Sequence, residues 1–160
     1  VQVERVDRIL VRVNVDGEIH IVALLRARIS DLGDLMRKLK ERKILVVLVK
    51  DTFSPYSIIT AAAYTLTDIR RSTGIAKDPV MQFALNLTGT HQLSKALDMI
   101  YPQGDVAYLV GIDNAFEELS GLYQPLELNG VPFDDHVVDM FSARANGINW
   151  KYKKSNQDAT

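Results

Sequence analysis

Two short polar turns carry the residue types best suited to binding chemistry in this chain of 160 residues. The first is Arg70-Arg71-Ser72-Thr73-Gly74, with Lys77 close behind and Asp78-Pro79 opening the next helix. Guanidinium groups beside a glycine, whose backbone can present its N–H groups, and next to a helix N-terminus can receive a phosphate. The same arginines also suit the C-terminal dipole of the helix they end. The second turn is Thr88-Gly89-Thr90-His91-Gln92, with Lys95 one helical turn further on. Gly89 as a C-cap and Thr90 as an N-cap explain those two residues. Capping does not explain Gln92, whose amide can read a base edge or hold the neighbouring loop.

Catalytic constellations are harder to find. His20, His91 and His136 are far apart in sequence, and none sits at i, i+4 from another potential ligand in a metal-type pattern, so each reads as structural or solvated. Asp134, Asp135, His136 and Asp139 make a dense acidic cluster with an imidazole. At a helix start it reads as a cap and dipole partner ahead of a metal site or a hydrolase centre. There is no Gly-x-Gly-x-x-Gly, no Gly-Lys-Ser/Thr and no Gly-x-Ser-x-Gly sequence. The absence of Cys removes thiol catalysis, disulfides and the common zinc sites. The reading is a binding protein with no catalytic residue, no cofactor and no metal.

The elements that must position these turns follow from periodicity. Val6 to Val15 alternates as a strand with Ile9, Val11, Val13 and Val15 on one side and a wet face carrying Arg8, Leu10, Arg12 and Asn14. Asp16-Gly17 is a tight hairpin turn, after which Ile19, Ile21, Ala23 and Leu25 resume the period of two. Ser30 is placed to cap a helix through Leu39, and Ile44 to Val49 reads as a strand covered on both faces. Ser54-Pro55 and Asp78-Pro79 open two helices, Thr90 is placed to cap a third, and Val106 to Ile112 is a further strand. Asp134 or Asp135 begins a last helix. The expected fold is α/β: a mixed, mostly antiparallel sheet of about four strands, with a three-helix insert and a C-terminal helix packed on it. Residues 1–150 form one domain and 151–160 a polar, frayed tail.

Charge is unevenly spread: residues 1–95 carry 15 Lys+Arg against 10 Asp+Glu, and 96–143 carry none against 9. One part can therefore face phosphate and the other a basic protein surface. No run approaches the roughly 18 apolar residues a membrane helix needs, and the N-terminal segment is not built as a signal peptide, which together imply a soluble intracellular protein.

The stretch 61–97 resembles the small KEOPS-complex subunit family that includes the PRPK-binding protein. The matching residues are Ala61, Ala62 and Ala63, then Arg70 and Arg71, then Gly89, Gln92, Leu93, Ala96 and Leu97. Thr88 stands where Ser is usual, Leu93 where Ile is usual, and Tyr101 where the family helix generally ends in Gly. The resemblance implies a non-catalytic subunit of the complex that installs threonylcarbamoyl-adenosine on tRNA, acting in the cytoplasm, or in the nucleus of a eukaryote. It implies binding to the kinase/ATPase of that complex, and through it to the rest of KEOPS, and recruitment of tRNA by its 3′ end. Arg70, Arg71 and Lys77 would then meet phosphates, while Gly89, His91, Gln92 and Lys95 would lie near unstacked bases. Val137, Met140 and Phe141 would be apolar anchors for the kinase. The alternative is a small-molecule-binding regulatory α/β domain that uses the helical insert as a pocket.

Overall fold

The computed structural model describes residues 3–42, 45–113, 115, 135–139 and 150–153. Its strands are β1 (Val3–Val15), β2 (Glu18–Ile29), β3 (Val46–Lys50), β4 (Val106–Ile112), β5 (Asp135–Asp139) and β6 (Trp150–Lys153). Its helices are α1 (Leu32–Glu41), α2 (Pro55–Arg71), α3 (Pro79–Thr88) and α4 (Leu93–Ile100). All six strands join one sheet in the order β3-β4-β2-β1-β5-β6. The first four pair antiparallel, β5 runs parallel to β1, and β6 is antiparallel to β5.

The mixed, mostly antiparallel sheet with helices packed on it is as expected; its C-terminal edge is not. Residues 135–139 form a strand where a helix was anticipated, so the helical spacing that grouped Val137 with Met140 and Phe141 does not hold. The adjacent β-branched pair Val137-Val138 favours an extended backbone, and the outer edge of β1 supplies hydrogen-bond partners that an isolated short helix would lack. Lys151, Tyr152 and Lys153, expected in the polar tail, continue from Trp150 as strand β6 of the sheet. Asp134, Met140, Phe141 and the rest of the anticipated tail lie outside the described residues.

Both faces of the β1–β4 part of the sheet carry buried clusters. On one, Leu10, Ala23, Leu25, Ala27, Leu48 and Leu109 pack against Leu35 and Leu39 of α1. On the other, Val11, Val13, Val15, Val22, Leu24 and Val110 pack against Ile58, Ile59, Ala62, Ala63 and Leu66 of α2 and Phe83 of α3. The hairpin register sets Leu10 opposite Ala23 and Val11 opposite Val22, so β2 is apolar on both sides. Leu10 is thus buried where a wet face was expected, while Arg12 on the same face is exposed.

Local signals set most helix ends. Ser54 and Asp78 accept hydrogen bonds from the backbone of Ser57 and Val80, each ahead of a proline at the first helical position. Asp31, and not Ser30, caps α1 by accepting from the N–H of Asp34 at 3.0 Å. Gln92 occupies the N-cap position of α4, and Thr90 instead accepts the N–H of Gln92 at 3.2 Å. α4 stops at Ile100 because Tyr101 is extended ahead of Pro102.

Ile58 is fully buried between α2 and the sheet, whereas Ile19 is 55% exposed at the hairpin tip. Urea denaturation should therefore show Ile58→Ala losing about 2–5 kcal/mol of stability and Ile19→Ser staying within about 0.5 kcal/mol of the parent.

Candidate nucleic-acid interface

The basic turn is held by a polar network buried between α2 and α3. Thr65, Thr67, Asp68 and Gln82 are all buried. Thr65 and Thr67 return their hydroxyls to the carbonyls of Ala61 and Ala63 within α2. The Asp68 carboxylate accepts from Thr73 Oγ1 at 2.8 Å, from Asn86 Nδ2 at 3.1 Å and from Gln82 Nε2 at 3.4 Å. Asn86 also donates to Thr65 Oγ1 at 3.0 Å, and Gln82 Oε1 accepts the Ala76 N–H at 2.9 Å. The Thr73 hydroxyl and the Ala76 backbone are thereby tied to side chains of α2 and α3. Gly74 lies against this network: a Cβ there would sit 2.8 Å from Gln82 Oε1. Its role is close approach, because the left-handed cap of α2 falls on Ser72 at φ 55°.

The arginines of this turn face the tip of the β1–β2 hairpin. Arg71 forms a two-pronged pair with Asp16, its Nε donating at 3.0 Å, which holds the Asp16 carboxyl below the usual carboxylate range. Arg70 reaches Glu18 at 3.6 Å. Glu18 in turn lies 2.8 Å from Nε2 of His20, whose Nδ1 is 2.9 Å from Asp113 at the end of β4. Asp113 is fixed by the backbone of Ile21, accepting its N–H at 2.9 Å and donating its own N–H to its carbonyl at 2.8 Å. Partial burial of His20 lowers its pKa, but the hydrogen bonds to Asp113 and then Glu18 outweigh it, and the net shift is upward. With both ring nitrogens facing carboxylates, the imidazole presents no lone pair to a metal while it is protonated. Among the described residues no group of three His, Cys, Asp or Glu is arranged to hold one.

Asp16, Ser72 and Asp113 are the non-glycine residues with positive φ among the described residues, and all three lie in or beside this cluster. Each costs on the order of 1 kcal/mol of backbone strain. The Asp16–Arg71 and His20–Asp113 contacts span 55 and 93 residues. Asp16 and Glu18 were missed as site residues because no local pattern signals such pairings; the only hint was an acidic hairpin turn.

The second turn lies at the opposite end of α3. Asp68 of α2 meets Gln82, and Thr65 meets Asn86, so α2 and α3 run antiparallel and α3 separates the two turns by roughly 15 Å at the helical rise. Gly89 caps α3 in the left-handed region at φ 76°, and Thr88 donates its hydroxyl to the Ala84 carbonyl. His91, Gln92 and Lys95 are exposed, as is Lys77 in the first turn. Among the described residues no hydrogen bond or ion pair engages these four side chains. The structure thus joins Arg70 and Arg71 to acids, groups His91, Gln92 and Lys95 at the start of α4, and sets the two groups apart. Val137 is on β5, at the other side of the sheet from the β3 edge.

A groove of about 800 Å³ runs along that edge, lined mainly by apolar residues that include Met36 and Leu39 of α1, Val47 of β3, Val80 and Met81 of α3 and Leu97 of α4. No helix among the described residues is long and apolar enough to cross a membrane. No protein-family model matches the chain, and neither does any curated protein sequence.

Two measurements probe this geometry. Gly74→Ala must displace the Gln82 amide from at least one buried partner and should cost about 1–3 kcal/mol in chemical denaturation. The raised pKa of His20 makes its contribution to stability complete below about pH 6.5, the unfolded value, and lost as pH rises through the folded value. The difference in unfolding free energy between the parent and His20→Gln should therefore shrink above pH 6.5, and a difference that is constant with pH would refute the bridging role.

Proposed function

We propose that this chain is a non-catalytic, tRNA- and kinase-binding subunit of the KEOPS threonylcarbamoyl-adenosine machinery. The observation that carries the tRNA part is the Thr88–Gln92 turn. It projects an imidazole, a primary amide and, from the first turn of α4, an ammonium from a rigid helix pair, with no protein partner for these side chains among the described residues. Such a set suits a single-stranded RNA end, where unstacked bases offer edges to the amide and faces to the imidazole, and phosphates pair with the ammonium. Lys77 extends the basic surface at the other end of α3. Arg70 and Arg71 contribute to the field around it, although their contacts with phosphate require competition with Glu18 and Asp16. Val137, Met140 and Phe141 remain the proposed kinase contact, with Val137 now presented by a strand.

A second reading is a regulatory domain for a small apolar ligand, favoured by the groove beside β3. The two separate on salt. In the tRNA reading, affinity measured by filter binding falls steeply with ionic strength, and Lys95→Glu weakens it about 3–10-fold at low salt and reduces the salt slope by about 1 to 2. Gln92→Ala should weaken binding to a tRNA with an intact 3′ end more than binding to one lacking it. Salt-independent or undetectable tRNA binding by a folded protein would favour the groove reading.

A further inference from the structure

The tip of the β1–β2 hairpin does more than close two strands. It carries two carboxylates, Asp16 and Glu18, and the fold sets both against the guanidinium groups of Arg70 and Arg71. The Asp16 contact is the stronger of the two. It is two-pronged, and both side chains are more than two-thirds withdrawn from solvent, with Arg71 29% and Asp16 25% exposed. The Glu18 contact is longer, at 3.6 Å, and half exposed, and Glu18 is also shared with His20. A carboxylate on an arginine fork occupies the positions that two phosphate oxygens would take.

We propose that this hairpin tip is a built-in competitor for an RNA phosphate backbone: Asp16 and Glu18 occupy Arg71 and Arg70 until a phosphate displaces them. The inference rests on the tRNA reading and adds a regulatory element to it. Its physical content is a subtraction. The basic turn contributes to binding only after its internal ion pairs are broken, so the chain binds polyanions more weakly than its cations would by themselves. The tip is suited to release. It is a two-residue turn in which both Asp16, at φ 52°, and Gly17, at φ 86°, are left-handed. Only the outer ends of β1 and β2 need move, while Val11, Val13 and Val22 stay in the core.

The turn geometry also supplies a clean test. Asn adopts the left-handed conformation at least as readily as Asp, and Asn-Gly is a favoured sequence for such a hairpin. Asp16→Asn therefore removes the charge and preserves the turn, and Glu18→Gln is close to isosteric. Affinity for bulk tRNA would be measured by filter binding at low and high salt for the parent, for the double variant Asp16→Asn/Glu18→Gln, and for the double variant combined with Arg71→Gln. A control, Asp51→Asn/Asp105→Asn, removes two carboxylates paired to Arg26 and Arg28 of β2. The expected result is binding about 5–10-fold tighter for the hairpin variant at low salt, shrinking at high salt as screened charges must. The control should gain less than about 2-fold, and most of the hairpin gain should vanish with Arg71→Gln. Parent and hairpin variant binding equally, a gain matched by the control, or a gain indifferent to Arg71 would each overturn the competitor while leaving the tRNA reading in place. Failure of every folded protein to bind tRNA would overturn both.

Discussion

The helical half of this fold depends on a carboxylate in the wrong place for a carboxylate. Asp68 is 7% exposed near the end of α2, a helix whose middle is buried on nearly every side. A buried carboxylate without donors costs several kcal/mol, so the surroundings must supply them. Two come from amides four residues apart on α3, Gln82 and Asn86, and a third from Thr73 just beyond α2. That demand sets the rotation of α3 about its axis and its antiparallel course. It also draws the Ser72–Ala76 backbone down onto Gln82, where a Cβ at position 74 would push the Gln82 amide aside. The position of the basic turn is thus a by-product of satisfying one acid.

On the other side of α2 the constraint is shape. Ala61, Ala62 and Ala63 are all buried, and side chains this small let the helix lie close to both the sheet and α3. With α2 fixed on one face and α1 on the other, β2 and β4 have no wet surface over most of their length. The charged residues are left to the rims, where they pair across elements: Arg26 with Asp51, Arg28 with Asp105, Arg71 with Asp16. The charge split seen along the chain is bridged in space by Arg28 and Asp105, a cation of the first part on an acid of the second, whereas the Asp16–Arg71 pair lies within the first part.

What could be read from the sequence was local. Asp16-Gly17, Ser54-Pro55, Asp78-Pro79 and Gly89 each encode a backbone event within a few residues, and each occurs where its chemistry indicates. The misread caps have equally local causes. Asp31 competes with Ser30 one residue away, and Thr90 spends its hydroxyl on a turn preceding α4. Residues 135–139 were misread because acids followed by apolar residues suit a helix start, while the deciding factor, an open edge of β1, is more than a hundred positions away. The candidate site divides the same way. Exposure of His91, Gln92 and Lys95 follows from the turn they belong to, whereas the engagement of Arg70 and Arg71 depends on tertiary pairing that no spacing rule reveals.

The placement of β4 carries a consequence for how this protein is made. β4 is the eighth element in chain order, directly after α4, yet in the sheet it lies between β2 and β3. Until residues 106–112 leave the ribosome, β2 and β3 each present an unpaired apolar edge, and α1 and α2 have no complete surface to pack on. The core therefore stays incomplete throughout the synthesis of the helical insert. Folding is gated by a late, long-range insertion, the kind of step that is slow and exposed to aggregation.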